Sequence, residues 1–303
     1  MKRGYLQISF SWLFSIIAGA FILFLAIYIT TQLISNEQTT QDFKTGKEIG
    51  VLFNPLETGF DDAVSTLMTL PAETRISTNC EGGGNFGKQI ISISQKSLGK
   101  WTKGAEVKFE NKYIFSENPE GKNFYVFSKP FDFPFKVGDL IYLTSEGKNY
   151  CFLDAPEAIN EELTSLKKQK NLFLENCPSD SVKICFGASS DCDINVDYNR
   201  KYVEKVGRKV YFNDDATMYA AIFSSAENYE CQIKRIMKRV SVLASLYQQK
   251  ANFVENRECF SYLNLDLLKN AAENLASSSG LKAVKNIAEE IELKNNIADC
   301  RLW

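Results

Sequence analysis

Residues 8–34 read ISFSWLFSIIAGAFILFLAIYITTQLI, 27 positions without one charged side chain. As a helix this run is ~40 Å long, enough to cross a hydrocarbon core of ~30 Å with some tilt. A core helix of a water-soluble domain rarely runs so many turns without a charged position. The run therefore constrains everything after it: the remaining chain is expected on one side of a lipid bilayer. Lys2 and Arg3 precede it, and Glu37 and Asp42 are the first charges beyond it. Cations stay on the cytoplasmic side, which predicts a single pass with the N-terminus in the cytoplasm and the bulk outside. A cleaved secretory signal carries ~7–15 apolar residues and a small-x-small cleavage site. This run is longer and residues 30–38 offer no such site, so residues 1–35 are expected to be an uncleaved signal-anchor.

The eight cysteines, Cys80, Cys151, Cys177, Cys185, Cys192, Cys231, Cys259 and Cys300, all lie after the apolar run. An even set in a translocated domain reads as disulfides. A metal site would want C-x-x-C spacing or histidine ligands, and the chain has no histidine, so neither metal nor cofactor is expected. The net charge of −2 carries no basic excess for nucleic acid. The chain holds no Asn-x-Ser/Thr sequon.

Three stretches follow in order. Residues 36–71 read as a helical stalk: Asn54-Pro55-Leu56-Glu57 has the form of a helix start, and Leu56, Phe60, Val64, Leu67 and Met68 share one face up to Pro71. Residues 72–213 turn to a period of two. Strands are expected at 75–80, 89–94, 105–109, 113–116, 123–128, 140–144 and 149–153, in a mainly antiparallel meander. A short helix over 156–170, led by Asp154, comes next, then strands at 172–174, 182–186, 192–196 and 209–212. Residues 214–303 read as helical, with a stripe of Ile233, Ile236, Val240, Leu243 and Tyr247, then helices over 263–276 and 281–297. The fold class is α+β: a transmembrane helix, a β-rich extracytoplasmic domain and a C-terminal three-helix region. If those three helices run up, down and up, Cys259 and Cys300 fall at the same end. Cys231 lies ~30 Å down the first helix. The geometry then favours a Cys259–Cys300 bond and sends Cys231 elsewhere, since bonded Cα atoms lie within ~7 Å.

Candidate chemistry is sparse. Residues 82–89, GGGNFGKQ, nearly match a phosphate-binding loop. Gln89 replaces the hydroxyl residue, however, and a strand-like run follows where the motif needs a helix, so a loop between strands is expected. Asp191, Asp193, Asn195 and Asp197 have the alternation of a calcium loop. Val196 takes the place of the turn glycine and Tyr202 that of the final Glu, which favours a half-buried strand. Lys234, Arg235, Lys238 and Arg239 make a basic helix face, read as solvated or paired with acids such as Glu289, Glu290 and Glu292. Phe131, Phe133 and Phe135 read as the buried side of an edge strand. Without histidine a Ser-His-Asp or Cys-His arrangement is impossible; Ser-Lys dyads and carboxylate pairs remain open, and no pair stands out.

At the start of the chain, Lys2-Arg3-Gly4 is followed by Gln7-Ile8-Ser9-Phe10-Ser11-Trp12-Leu13 and the long apolar helix. This resembles the class III, type IV pilin-like signal sequence of archaeal surface proteins, over about the first thirty residues. Two features differ from that pattern: Ser11 stands where glutamate is usual, and Tyr5-Leu6 separates Gly4 from Gln7. The resemblance implies cytoplasmic cleavage after Gly4 by a prepilin-type peptidase, retention of the helix, and other pilin-like subunits as partners. A plain anchor stands beside it as the alternative. The expectation is a non-enzymatic, pilin-like surface protein acting by assembly or binding. An anchored receptor or adhesin domain that stays monomeric is the second reading, and a carboxylate-dependent envelope hydrolase the third.

Overall fold

The computed structural model describes residues 10–52, 64–97, 99–187 and 191–303. Gly4 and the helix start at Asn54–Glu57 lie outside them. The elements are α1 (Phe10–Leu52), β1 (Val64–Glu81), β2 (Lys88–Ser97), β3 (Lys100–Trp101), β4 (Ala105–Phe109), β5 (Tyr113–Phe115), β6 (Glu120–Asp132), β7 (Lys136–Ser145) and β8 (Tyr150–Leu153). They continue with α2 (Glu157–Ser165), β9 (Leu172–Phe173), β10 (Val182–Cys185), β11 (Ile194–Asp197), β12 (Tyr202–Lys205) and β13 (Arg208–Tyr211). The chain closes with α3 (Asp215–Phe223), α4 (Ala226–Glu255), α5 (Asp266–Glu273) and α6 (Leu281–Ile297). The class is α+β, as expected, with differences in detail.

The first sheet runs β3-β2-β1-β6-β7-β5, with β4 also on β2. It is antiparallel except that β5 lies parallel to β7. Neighbouring residues of a strand face opposite sides, and here both sides are buried. On β7, Leu140 and Tyr142 enter the large core beneath the C-terminal helices, while Ile141 and Leu143 enter a smaller core that also holds Ile49 of α1. The second sheet runs β13-β12-β11-β10-β8-β9 and is not a simple meander: β9–β8, β8–β10 and β10–β11 are parallel pairs. Strand period alone carries no information on direction. Here the β8–β9 crossover is made by α2, the arrangement a parallel pair needs.

The stalk reading fails at its far end. Residues 64–70 are strand, the start of β1, with Val64–Thr69 paired to β6. Pro71 sits where the register to β6 slips between Thr69 and Thr74, a bulge that tolerates a residue without an N–H. Helix α2 starts next to Pro156 as expected but ends at Ser165, and Asp154, whose φ of +55° lies in the left-handed region, is not its cap. The C-terminal region has four α-helices, not three. Ser224 is extended and Ser225 caps α4 through its side chain, which splits α3 from α4. The short strands β3 and β12 escape the period-two reading altogether.

All eight cysteines pair: Cys80–Cys231, Cys151–Cys177, Cys185–Cys192 and Cys259–Cys300, with Cα separations of 5.7–6.1 Å. The expected Cys259–Cys300 bond is present, and Cys231 finds Cys80 across 151 residues.

Candidate functional site: the protruding helix and its seat

Helix α1 is one unbroken rod of 43 residues. Its first part, Phe10–Ile34, is long and apolar enough to cross a membrane, and none of it is buried by the rest of the chain. Three hydroxyls in this part bond back to their own helix. Ser15 donates to the Ser11 carbonyl at 2.9 Å, Thr30 to Ala26 at 2.7 Å and Thr31 to Tyr28 at 2.8 Å. Such back-bonding satisfies those three donors without water.

The second part is seated on the first sheet. Asp42, Thr45, Gly46, Ile49 and Gly50 are buried at spacings of three and four, the stripe of a docked helix. The glycines permit the approach. A Cβ on Gly46 would lie 2.7 Å from Cγ2 of Val107, and one on Gly50 2.4 Å from Cζ of Phe109. Asp42 Oδ2 accepts from the Thr102 hydroxyl at 2.6 Å, and Gln95 donates to Thr45 at 3.5 Å. Burial pushes the Asp42 carboxyl above its ordinary range, and the hydrogen bonds from Thr102 and the Gln95 backbone only partly offset this.

Two residues of the basic helix face, Arg235 and Lys238, clasp α4 to the first sheet, while Lys234 is exposed as expected of a solvated face. Arg235 is fully buried. Its Nε donates to the Phe86 carbonyl at 3.1 Å, Nη1 to Lys112 at 3.0 Å and to Gln232 Oε1 at 2.6 Å, and Nη2 to Glu110 at 3.0 Å. One turn further on, Lys238 donates to the carbonyls of Gly82 at 2.6 Å and Gly84 at 3.1 Å. The loop that resembles a phosphate binder thus presents carbonyls to cations, the wrong polarity for phosphate. Lys88 and Gln89 open strand β2, as expected for a loop between strands. Glu289 and Glu290 pair with Lys285 and Lys294 on their own helix.

The alternating acids lie in and before β11. Ile194 and Val196 are buried, and Asp191 and Asp193 both engage Lys183. Among the described residues no three acids, cysteines or histidines gather to hold a metal. Phe131, Phe133 and Phe135 are buried, though not on an edge: β6 lies between β1 and β7, and Phe133–Phe135 form its turn into β7. Glu117 bridges Lys148 and Lys205, each at 2.7 Å. Burial alone would raise its carboxyl, but Lys205 and Lys148 outweigh it and hold it below the ordinary range.

A cleft of about 780 Å³ opens on the outer face of β11 and β12 and includes Asn195, Asp197, Tyr202, Glu204 and Arg200. Two of its acids are engaged: Asp197 accepts from the Arg200 backbone at 2.8 Å, and Glu204 meets Lys209 at 3.4 Å. Comparison with protein-family models, with curated proteins and with solved structures gives no match.

Proposed function

We propose that the chain is a membrane-anchored extracytoplasmic surface protein of pilin-like build, acting by assembly or binding and not by catalysis. The observation that carries this reading is the continuity of α1. A lipid-soluble half and a half seated on the sheet belong to one helix with no linker between them. A mere tether needs only a span and a flexible connection. A rod fixed to the folded part suits a subunit whose helices bundle while its globular parts stay outside. Ser11, Ser15 and Gly19 put small residues at every fourth position of the exposed half, the spacing that lets apolar helices approach closely. Four disulfides support an oxidising compartment.

Mass spectrometry of the full chain extracted from membranes tests the reading. The expected product keeps the helix and begins just after Gly4. An intact N-terminus leaves the plain anchor, and a cut beyond Ile34 overturns both. The cleft on β11 and β12 supports a second reading, an anchored receptor or adhesin domain that stays monomeric, because it offers a mixed polar and aromatic lining of ligand size.

A further inference from the structure

Large apolar side chains left in water gather at one end of the C-terminal helices. Phe253 on α4, Phe260 and Tyr262 in the loop after it, Leu267 on α5, and Leu293 and Ile297 on α6 are exposed, Tyr262 by 74% and Ile297 by 85%. The Cys259–Cys300 disulfide draws that loop to the end of α6. Phe260 and Tyr262 stack with ring centroids 5.6 Å apart. Tyr262 and Glu258 hold φ of +53° and +65°, a region that costs energy for residues with side chains. Between them Ser261 is buried and donates to Glu255 at 3.2 Å. The loop is therefore fixed in a shape that keeps both rings in water, and exposed apolar surface of this kind marks a contact.

The strands show which way this end faces. On α1, Gly50 lies against Phe109, whose strand partner is Gln89, Gly46 lies against Ile93, and Thr45 and Asp42 reach Gln95 and Thr102. Stepping along α1 toward its apolar half therefore steps along β2 toward its C-terminal end. In the antiparallel order, β1 begins, β6 ends and β7 begins at that same end. Phe135, in the β6–β7 turn, stacks on Tyr247 of α4 at 4.5 Å and meets Trp303 at 5.4 Å. The start of α4 is tied by Cys80–Cys231 to the opposite end of β1. The last turns of α4, the Cys259 loop and the end of α6 thus lie on the side toward which the apolar half of α1 runs.

We propose that this apolar rim is a second membrane contact, resting in the headgroup region of the bilayer that α1 crosses. The proposal rests on the membrane reading of α1. Amphipathic rings prefer that depth, and Tyr262 offers a hydroxyl to the wet side of it. Lys250, Arg257 and Arg301 are offset by Glu255, Glu258 and Asp299, so the attraction is apolar and needs no anionic lipid. Two contacts, helix and rim, fix the tilt of the folded part against the membrane and leave one face outward.

The test uses the full chain in dioleoylphosphatidylcholine vesicles, with photoreactive benzoylphenylalanine replacing Phe260 or Tyr262. Phe21, in the apolar half of α1, is the anchor control. Val206, apolar and 96% exposed beside the Glu117 bridge, is the control at the opposite end. Lipid adducts at 21, 260 and 262 with none at 206 are expected, unchanged at 0.5 M salt. Adducts at 21 without any at 260 and 262 overturn the rim and leave the anchor standing. Absence at 21 overturns the anchor and the rim with it. Equal labelling at 206, or capture of another protein chain at 260 and 262, also overturns the rim.

Discussion

Asp42 and Glu117 are both withdrawn from water, yet their neighbours differ. Asp42 faces a hydroxyl and a backbone amide and no cation, so its folded carboxyl titrates above the ordinary 3.8. The docked state then takes up a proton more readily than the unfolded chain, and this site stabilises as pH falls through its folded value toward 3.8. Glu117 lies between two lysines and titrates below the ordinary 4.5. Its contribution is complete above 4.5 and is lost as pH falls through its folded value. Asp42→Asn should keep or raise the melting temperature at pH 7 and flatten its rise on mild acidification. Glu117→Gln should lower it, because Lys205 stays buried without its partner, at a cost of about 3 kcal/mol. Thermal melts between pH 3 and 7 check both signs, and a lower melting temperature for Asp42→Asn at pH 7 would refute the first. Arg235→Met should cost about 3 kcal/mol, since it orphans the buried Lys112 carbonyl and removes the part-buried bonds to Phe86 and Glu110. A loss under 1 kcal/mol by urea titration would contradict the clasp. In the sequence Arg235 sits in a run of four basic residues that looks solvated. The available clue was spacing: Cys231, Arg235 and Lys238 fall on one helical face, and a cysteine on a basic face points to burial.

At the scale of elements, the apolar period was a good guide wherever local pattern decides. The stripe of α4 is buried as expected at Ile233, Ile236 and Val240, and the strands of the first sheet lie close to their expected positions. It misled at β1. Val64, Leu67 and Met68 fit a helical face after Asn54-Pro55, but β1 is long and paired on both edges, to β2 and β6, and those ladders outweigh a local preference. The parallel pairs of the second sheet were illegible for a related reason, since partner choice is decided between residues far apart in sequence. The disulfide between the C-terminal helices was within reach because helical rise fixes distance. Cys259–Cys300 closes 41 residues, a loop the chain-entropy model values at about 4 kcal/mol. Cys300→Ser should lower the melting temperature by roughly 10 °C and leave Cys259 open to thiol reagents in the folded protein. Protection of Cys259 in that variant would disprove the pairing.

Among the described residues two cores lie on the two faces of the first sheet, and α1 contributes Ile49 to the smaller of them. Ile76, Ile91, Ile93, Ile114 and Phe124 line that face, and the seated half of α1 lies over the part of it that β2 and β4 form. The exposed half of α1 is not buried against the other described residues. Truncation should therefore act in two distinct steps. A chain beginning at Asn36 loses the apolar half and keeps Asp42, Gly46 and Ile49 in place, so its melting temperature should stay within a few degrees of the full-length protein in detergent. A chain beginning at Val64 uncovers the isoleucine-lined face, and burial at roughly 25 cal/mol per Å² makes even ~200 Å² of newly wetted apolar surface worth about 5 kcal/mol. That is a large share of a domain's usual stability, ~5–15 kcal/mol. The shorter chain should melt at least 10 °C lower and bind hydrophobic dyes. Calorimetry of the two truncations decides it. If the chain beginning at Val64 melts with the one beginning at Asn36, the seat contributes no stability, and α1 would be a tether that merely rests on the sheet.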